Sequence, residues 1–196
     1  KVIIHKLINR SDVILTNFRP VVATRLGYDY ESLKLLNPGL IYARVSAFGD
    51  NGPYANDRGY DRLFQALSGM MSQSNSEDIP KGAGIWAADM SAPWALCYGI
   101  ALALIHREKS GEGQEVNTAL LHMSLAMQAV DLVRSEEEVA SSSDPTENFS
   151  NQALYLPYQC SEGEWINIVV ISNKEFISLC KALEIPDAVK DPRFLT

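Results

Sequence analysis

Two apolar runs, Asp12 to Thr16 and Leu40 to Phe48, are joined by residues of helical periodicity, and this pairing most narrows what the chain can fold into. Neither run alternates apolar with polar residues from end to end, so each strand is expected to be covered on both faces. The connection, residues 17–39, is too long for a hairpin and suits a right-handed crossover between parallel strands. It holds two helical stretches, Val21 to Leu26 and Tyr30 to Leu36, punctuated by Gly27 and ended by Asn37-Pro38-Gly39. Upstream, Val2 to Asn9 shows a partial helical period at Val2, Ile3, Leu7 and Ile8. The expected fold class is α/β.

Gly49 to Gly59 is rich in Gly, Asn, Asp and Pro and reads as a loop, while Tyr60 to Met71 returns to helical spacing through Leu63, Leu67 and Met70. After a polar loop, Ser72 to Gly82, the segment Gly84-Ile-Trp-Ala-Ala-Asp89 leads into the longest helix. Its expected span is Ser91 to Lys109, with Pro93 in the first turn, Gly111 past the end and a basic last turn. Gln114 to Ala119 reads as a strand and Leu120 to Val139 as a helix. From Glu136 to Ser150 the composition shifts to Glu, Ser, Asp, Pro and Asn, the signature of a linker. Leu154 to Cys160 and Trp165 to Ile171, on either side of Ser161-Glu-Gly-Glu164, predict a hairpin, and Asn173 to Leu183 predicts a helix. The expected organisation is a large domain over 1–139, a linker over 140–153 and the start of a smaller α+β domain over 154–196.

Charge and composition exclude several functions. The formal charge of −7 offers no basic face for a phosphate backbone, so no nucleic-acid partner is expected. With 46 % apolar and 21 % charged residues the chain is not disordered. Its longest uninterrupted apolar stretch, Trp94 to Ile105, falls well short of the roughly 20 residues a spanning helix needs. There is no signal-peptide pattern, and the expectation is a cytoplasmic protein without a membrane segment. Cys97, Cys160 and Cys180 lack paired or metal-binding spacing, so neither disulfide framework nor metal is expected. Residues 1–62 hold nine Lys and Arg against six Asp and Glu, and the remainder eight against eighteen. A small-anion site in the first third and a chance asymmetry both fit that imbalance. Because the chain opens on Lys1 and stops at Thr196 without a terminating signal, it is read as an internal piece of a longer protein.

Two places could carry chemistry. Asp89 precedes the long helix, where exposed backbone N–H groups would keep its carboxylate ionised and oriented. The plain reading is that Asp89 or Ser91 is the N-cap; the alternative is a nucleophile, since a carboxylate can attack an activated acyl carbon and become a mixed anhydride. Asn17-Phe-Arg-Pro20 lies beyond the carboxyl end of a predicted parallel strand, where open α/β sheets bind ligands. There an amide, a ring and the guanidinium groups of Arg19 and Arg25 could receive a base and phosphates, or the segment is an ordinary loop. His5, His106 and His122 form no triad, and no GxSxG, HExxH or phosphate-loop motif is present.

An ordered set of segments resembles the class III CoA-transferases, the CaiB/BaiF group related to formyl-CoA transferase and 2-methylacyl-CoA racemase. They are Ser11-Asp-Val, Asn17-Phe-Arg-Pro20, Arg25-Leu-Gly27-Tyr28, Leu36-Asn-Pro38, Leu40-Ile-Tyr42, Phe48-Gly-Asp-Asn-Gly-Pro-Tyr54, Arg58-Gly-Tyr-Asp61, Gln65-Ala-Leu-Ser-Gly69, Ala88-Asp89 and Arg107-Glu-Lys-Ser-Gly-Glu-Gly-Gln114. Asp191-Pro-Arg-Phe194 resembles the family's small domain. The resemblance implies a partial, Rossmann-like parallel sheet and transfer of CoA between carboxylic acids through an aspartyl acyl anhydride. Asp89 matches the nucleophilic aspartate; Asn17, Phe18 and Arg25 match positions contacting the CoA nucleotide; Arg58, Gly59 and Tyr60 match the segment near the thioester. No permanently bound cofactor is implied, since the CoA thioester is a substrate, and the partners are an acyl-CoA, an acceptor acid and a second chain in an interlocked homodimer. Tyr60 stands where the related racemases have histidine, which favours transferase. The alternatives are a racemase and a catalytically silent CoA-binding fragment. The glycine run that closes over the site in some members is missing around Asn148 to Leu156.

Overall fold

The computed structural model describes residues 2–73, 80–132 and 154–192. The chain divides into two compact units, 1–134 and 135–196. The linker expected at 140–153, the carboxyl end of the helix expected to reach Val139 and most of the stretch compared for the glycine run lie outside the described residues.

In the first unit α1 (Val2–Ile8) leads to β1 (Val13–Thr16), and α2 (Pro20–Leu26) and α3 (Tyr30–Lys34) carry the chain to β2 (Ile41–Ser46). Pro20 opens α2, where its missing N–H costs nothing, and Gly27 closes it in the left-handed conformation at φ 71°. Asp29 caps α3 by accepting the Ser32 N–H at 3.0 Å. The crossover is parallel as expected, with Val13 opposite Ile41 and Thr16 opposite Arg44. β3 (Glu115–Ala119) pairs on the other side of β2, also parallel, so β2 is central and the sheet order is β1-β2-β3. Centrality explains its burial: Ile41, Tyr42 and Ala43 are buried, as are Arg44 and Ser46, and with Leu40, Leu33 and Ile8 the apolar members anchor the core.

Between β2 and β3 come α4 (Asp61–Leu67), a 3₁₀ turn (Met70–Gln73) and α5 (Ala87–Ser110). The helix expected over Tyr60 to Met71 is interrupted at Gly69, whose φ of 82° leaves the helical region. The long helix begins four residues earlier than expected, so Pro93 lies inside it rather than in its first turn. By length and composition α5 could cross a bilayer, because the 12-residue run Trp94 to Ile105 understates a helix whose flanking turns are also weakly polar. Here it packs along β2 and β3 and against α4 and α6, burying Ala88, Ala92, Leu96 and Ala103. Gly99 permits the approach, since an added Cβ would fall 2.6 Å from Val116 Cγ1. β3 runs directly into α6 (Leu120–Ala126), followed by α7 (Ala129–Leu132). The continuous helix expected from Leu120 breaks between them, where buried Gln128 donates to the Ser68 hydroxyl at 2.9 Å and the Ser124 carbonyl at 2.8 Å.

The second unit holds the expected hairpin. β4 (Tyr155–Gln159) and β5 (Trp165–Val169) are antiparallel, with Gln159 opposite Trp165 and Gly163 at φ 84° in the turn. α8 (Asn173–Ala182) follows behind a full capping box: the Ser172 hydroxyl accepts the Glu175 N–H, and the Glu175 carboxylate accepts the Ser172 N–H at 2.9 Å. A 3₁₀ turn, Pro186–Lys190, ends the described chain.

Candidate active site

At the carboxyl end of the sheet, the segments after β1 and β2 and the first turns of α5 surround a cavity of about 700 Å³. Of the residues singled out in the sequence, Asn17, Phe18, Arg58, Gly59, Tyr60 and Asp89 line it. Arg25 does not; it is exposed in the last turn of α2. Arg19 lines the cavity while its Nη1 donates to the Asn56 carbonyl at 2.9 Å, and Asn56 Oδ1 accepts the Val21 N–H at 3.2 Å. These bonds tie the Asn17-Phe-Arg-Pro20 loop to the loop after β2, so two segments distant in sequence form one wall. Asp57, Ser46 and Pro93 also line the cavity and carried no signal, because loop residues acquire a common neighbour only in the folded chain.

Asp89 stands in the first turn of α5, three residues past the true N-cap, Trp86, which offers no side-chain cap. Neither Asp89 nor Ser91 is the cap, a correction to the plain sequence reading; the Ser91 hydroxyl donates backward to the Ala87 carbonyl at 2.7 Å instead. The capping is done from another helix. Asp61, 1 % exposed at the start of α4, accepts the Ala88 N–H at 2.8 Å and the Asp89 N–H at 3.1 Å through Oδ2. Its Oδ1 accepts a hydrogen bond from the side-chain amide of Gln65. Gln65, fully buried, donates also to the Ile85 carbonyl at 2.8 Å and accepts the Ala83 N–H at 2.9 Å, fastening the segment that enters α5.

The first-turn N–H groups expected to hold the Asp89 carboxylate ionised are therefore occupied by a second carboxylate. Burial, and then the charge of Asp61, raise Asp89 above the ordinary aspartate value, opposite in direction to the sequence expectation. Among the described residues none donates a hydrogen bond to the Asp89 carboxylate, which faces the cavity unengaged. An unengaged, more basic carboxylate in a cavity that Arg58 and Arg19 also line, where they could receive an anionic ligand, is equipped for nucleophilic attack on an electrophilic carbonyl.

The family model described as CoA-transferase family III matches residues 1–196, and the chain belongs to that family. It is 33 % identical to the succinate–glutarate CoA-transferase of Agrobacterium fabrum, the match covering 99 % of this chain and 48 % of that protein. It is 31 % identical to the acetyl-CoA:oxalate CoA-transferase of Acetobacter aceti, over 97 % of this chain and 49 % of the relative. Among solved structures, a CaiB/BaiF family protein from Brucella suis superposes with a TM-score of 0.74 at 31 % identity, covering 98 % of this chain and 51 % of that one. Rv3272 from Mycobacterium tuberculosis superposes at 0.81 with 27 % identity, over 98 % of this chain and 51 % of the other. The chain thus spans about half the length of the relatives it matches.

Proposed function

We propose that the protein transfers CoA between carboxylic acids, with Asp89 as the nucleophile. The observation that carries this reading is the placement of an unengaged carboxylate, raised in basicity, on a cavity shared with Asn17, Phe18, Arg58, Gly59 and Tyr60. Family membership supports the reaction class, and succinate, glutarate and oxalate in the relatives' names support small carboxylic acids as the exchanging groups. In the proposed reaction an Asp89 oxygen attacks the donor thioester carbon, the C–S bond breaks and CoA thiolate leaves, giving an acyl–Asp89 anhydride. The thiolate then attacks the Asp89 carbonyl, releasing the donor acid and leaving an Asp89–CoA thioester. The acceptor carboxylate repeats the exchange in reverse order, so that the acceptor leaves as its thioester and Asp89 is regenerated. Each step exchanges one carboxylate or thiolate for another, so no outside oxidant or proton source is required.

In this reading Phe18 and Arg19, which line the cavity, receive the base and phosphates of CoA, and Arg58 the acid or thioester oxygen; Arg25 would act only from outside the cavity. Among the described residues the cavity has Tyr60 and no histidine on its lining, which supports transferase over the racemase alternative, where a His and an Asp would move an α-proton. The exposed apolar stripe of α5, Met90, Trp94, Tyr98, Leu102 and Ile105, supports a dimer as part of the proposal. A cytoplasmic site of action fits acyl-CoA and small-acid substrates.

Incubation with a panel of acyl-CoA thioesters, hydroxylamine quenching and peptide-resolved mass spectrometry test the reading. A hydroxamate on Asp89 is expected. Asp89→Asn should abolish it while leaving CoA affinity within about threefold, as expected where the lost group acts in chemistry rather than binding; an adduct persisting in that variant would refute the assignment. Because the folded-state value of Asp89 is raised, the native chain binds more protons than the unfolded one just above pH 3.8, and stability falls as pH rises through that window. Asp89→Asn should therefore raise the thermal midpoint at neutral pH even as it removes activity.

A further inference from the structure

We propose that Asp61 is the positioning residue for Asp89: buried in α4, it holds the backbone of the reacting residue through the Ala88 and Asp89 N–H groups and leaves the Asp89 carboxylate free to face the cavity. The assignment of Asp89 as the reacting residue rests on the function proposed above; the hold of Asp61 on it does not.

Three features of the chain converge on this role. First, the start of α5 has no cap of its own, since the N-cap is Trp86, so without Asp61 the N–H groups of a first turn would lack acceptors. Second, Asp89 cannot be held through its own carbonyl in the usual way, because the residue four positions on is Pro93, which has no N–H to donate. The N–H of Asp89 is therefore the main-chain group through which the protein can fix its register. Third, Asp61 cannot drift: it is 1 % exposed, and Gln65 pins Oδ1 while its own amide orientation is set by the Ala83 N–H on one side and the Ile85 carbonyl on the other. Gln65 must donate to Asp61 because its oxygen is already engaged by Ala83, and Asp61 must therefore be an acceptor on both oxygens. An ordinary Asp cap would have spent the Asp89 side chain on its own helix. Here the capping is supplied from α4, and the carboxylate at 89 is left for a ligand. Asp61 also raises Asp89 electrostatically, after burial; the other charged groups on the cavity wall are Arg19, Arg58 and Asp57.

The test uses Asp61→Asn. Asparagine keeps an oxygen for the two N–H groups and removes the charge, but sets its NH₂ against the NH₂ of Gln65. Acylation of Asp89 by the thioester that labels the wild-type protein best is expected to slow about tenfold or more with CoA affinity within about twofold, the split expected when an interaction serves the reacting group and not binding. In parallel, ¹³C NMR of the Asp89 side-chain carboxyl should show its titration moving to lower pH in the variant. Gln65→Leu, which removes the donor to Asp61 Oδ1, should slow acylation in the same direction as Asp61→Asn, whereas Arg107→Ala, which destabilises the chain away from the cavity, is the control for general damage and should leave acylation and the Asp89 titration in place. Unchanged acylation and titration in Asp61→Asn would overturn the proposal. Should wild-type Asp89 resist every thioester, the transferase reading fails, and slow hydrogen exchange of the Asp89 N–H in the wild-type protein still upholds the hold of Asp61. If Asp61→Asn does not fold, hydrogen exchange in the wild-type protein decides. Slow exchange of the Asp89 N–H, a first-turn group with no acceptor in its own helix, upholds the bond, and exchange at the rate of an open amide refutes it.

Discussion

Replacing Gly59 by alanine is expected to cost the protein about 3 kcal/mol, the upper end of what an added methylene costs a packed interior. Gly59 does not occupy the left-handed region, so backbone strain is not the reason. Space is. A Cβ at 59 would lie inside the envelope of Phe64 Cζ and Cε2 and 3.1 Å from Ala47 Cβ. Restoring an ordinary carbon–carbon contact of about 3.5–4.0 Å requires the ring to retreat by more than about 1 Å. Phe64 is fully buried and set edge-on to Phe48 with centroids 5.1 Å apart, and Phe48 leans on Tyr54 at 5.4 Å, so a ring retreating toward that side must displace packed aromatics. For a chain of this size the loss corresponds to a thermal midpoint lowered by about 6–12 °C. Circular dichroism melts and urea titrations measure it. A double-mutant cycle sharpens the test: Phe64→Ala alone should cost about 3–5 kcal/mol. Gly59→Ala/Phe64→Ala should be more stable than the sum of the single losses by about 2 kcal/mol, because the new methyl occupies vacated space. A midpoint within about 1 °C of wild type for Gly59→Ala, or a strictly additive cycle, would refute the steric account.

Two further outcomes follow from the packing. Arg107, in the last turn of α5, donates to Asp12 Oδ1 at 2.8 Å and to the Gly39 carbonyl at 3.1 Å. Asp12 is 76 % exposed at its side chain and Arg107 19 %, so urea unfolding should show Asp12→Ala within about 0.5 kcal/mol of wild type and Arg107→Ala losing about 1–3 kcal/mol. In the second unit, the Ile171 and Ser172 N–H groups and the Ser172 hydroxyl hold Glu175 below the ordinary glutamate value. Its contribution is therefore present above the unfolded value of 4.5 and lost as pH falls through the lowered one. Acid titration followed at the Ile171 and Ser172 amides should show the capping box opening, and Glu175→Gln should remove that pH dependence.

Much of the fold was legible because it is written in local patterns. Ile41 to Ala43 lack alternation since β2 is covered on both faces, whereas on β1 Leu15 is 67 % exposed and the expected double cover fails there; Gly27, Gly111 and Gly163 mark turns by the left-handed φ each adopts. The site was legible in part. Asn17, Phe18, Arg58, Gly59, Tyr60 and Asp89 meet at one cavity, whereas Arg25 points elsewhere on the protein surface. Helix ends were the weakest reading. The start of α5 reads late in the sequence because Asp89 and Ser91 are residue types that cap helices, and nothing nearby in sequence shows that Asp61 does the capping. The break at Gln128 was likewise invisible, since its partners include Ser68, sixty positions away.

The sequence by itself determined the strand–helix–strand grammar, the hairpin and the set of residues that could carry acyl chemistry, because each depends on neighbours within a turn or two along the chain. Tertiary structure decided which carboxylate caps and which is left free. A hydrogen bond between Asp61 and the Asp89 N–H spans twenty-eight positions, and its formation depends on how α4 packs against α5, a property of the whole core rather than of any segment.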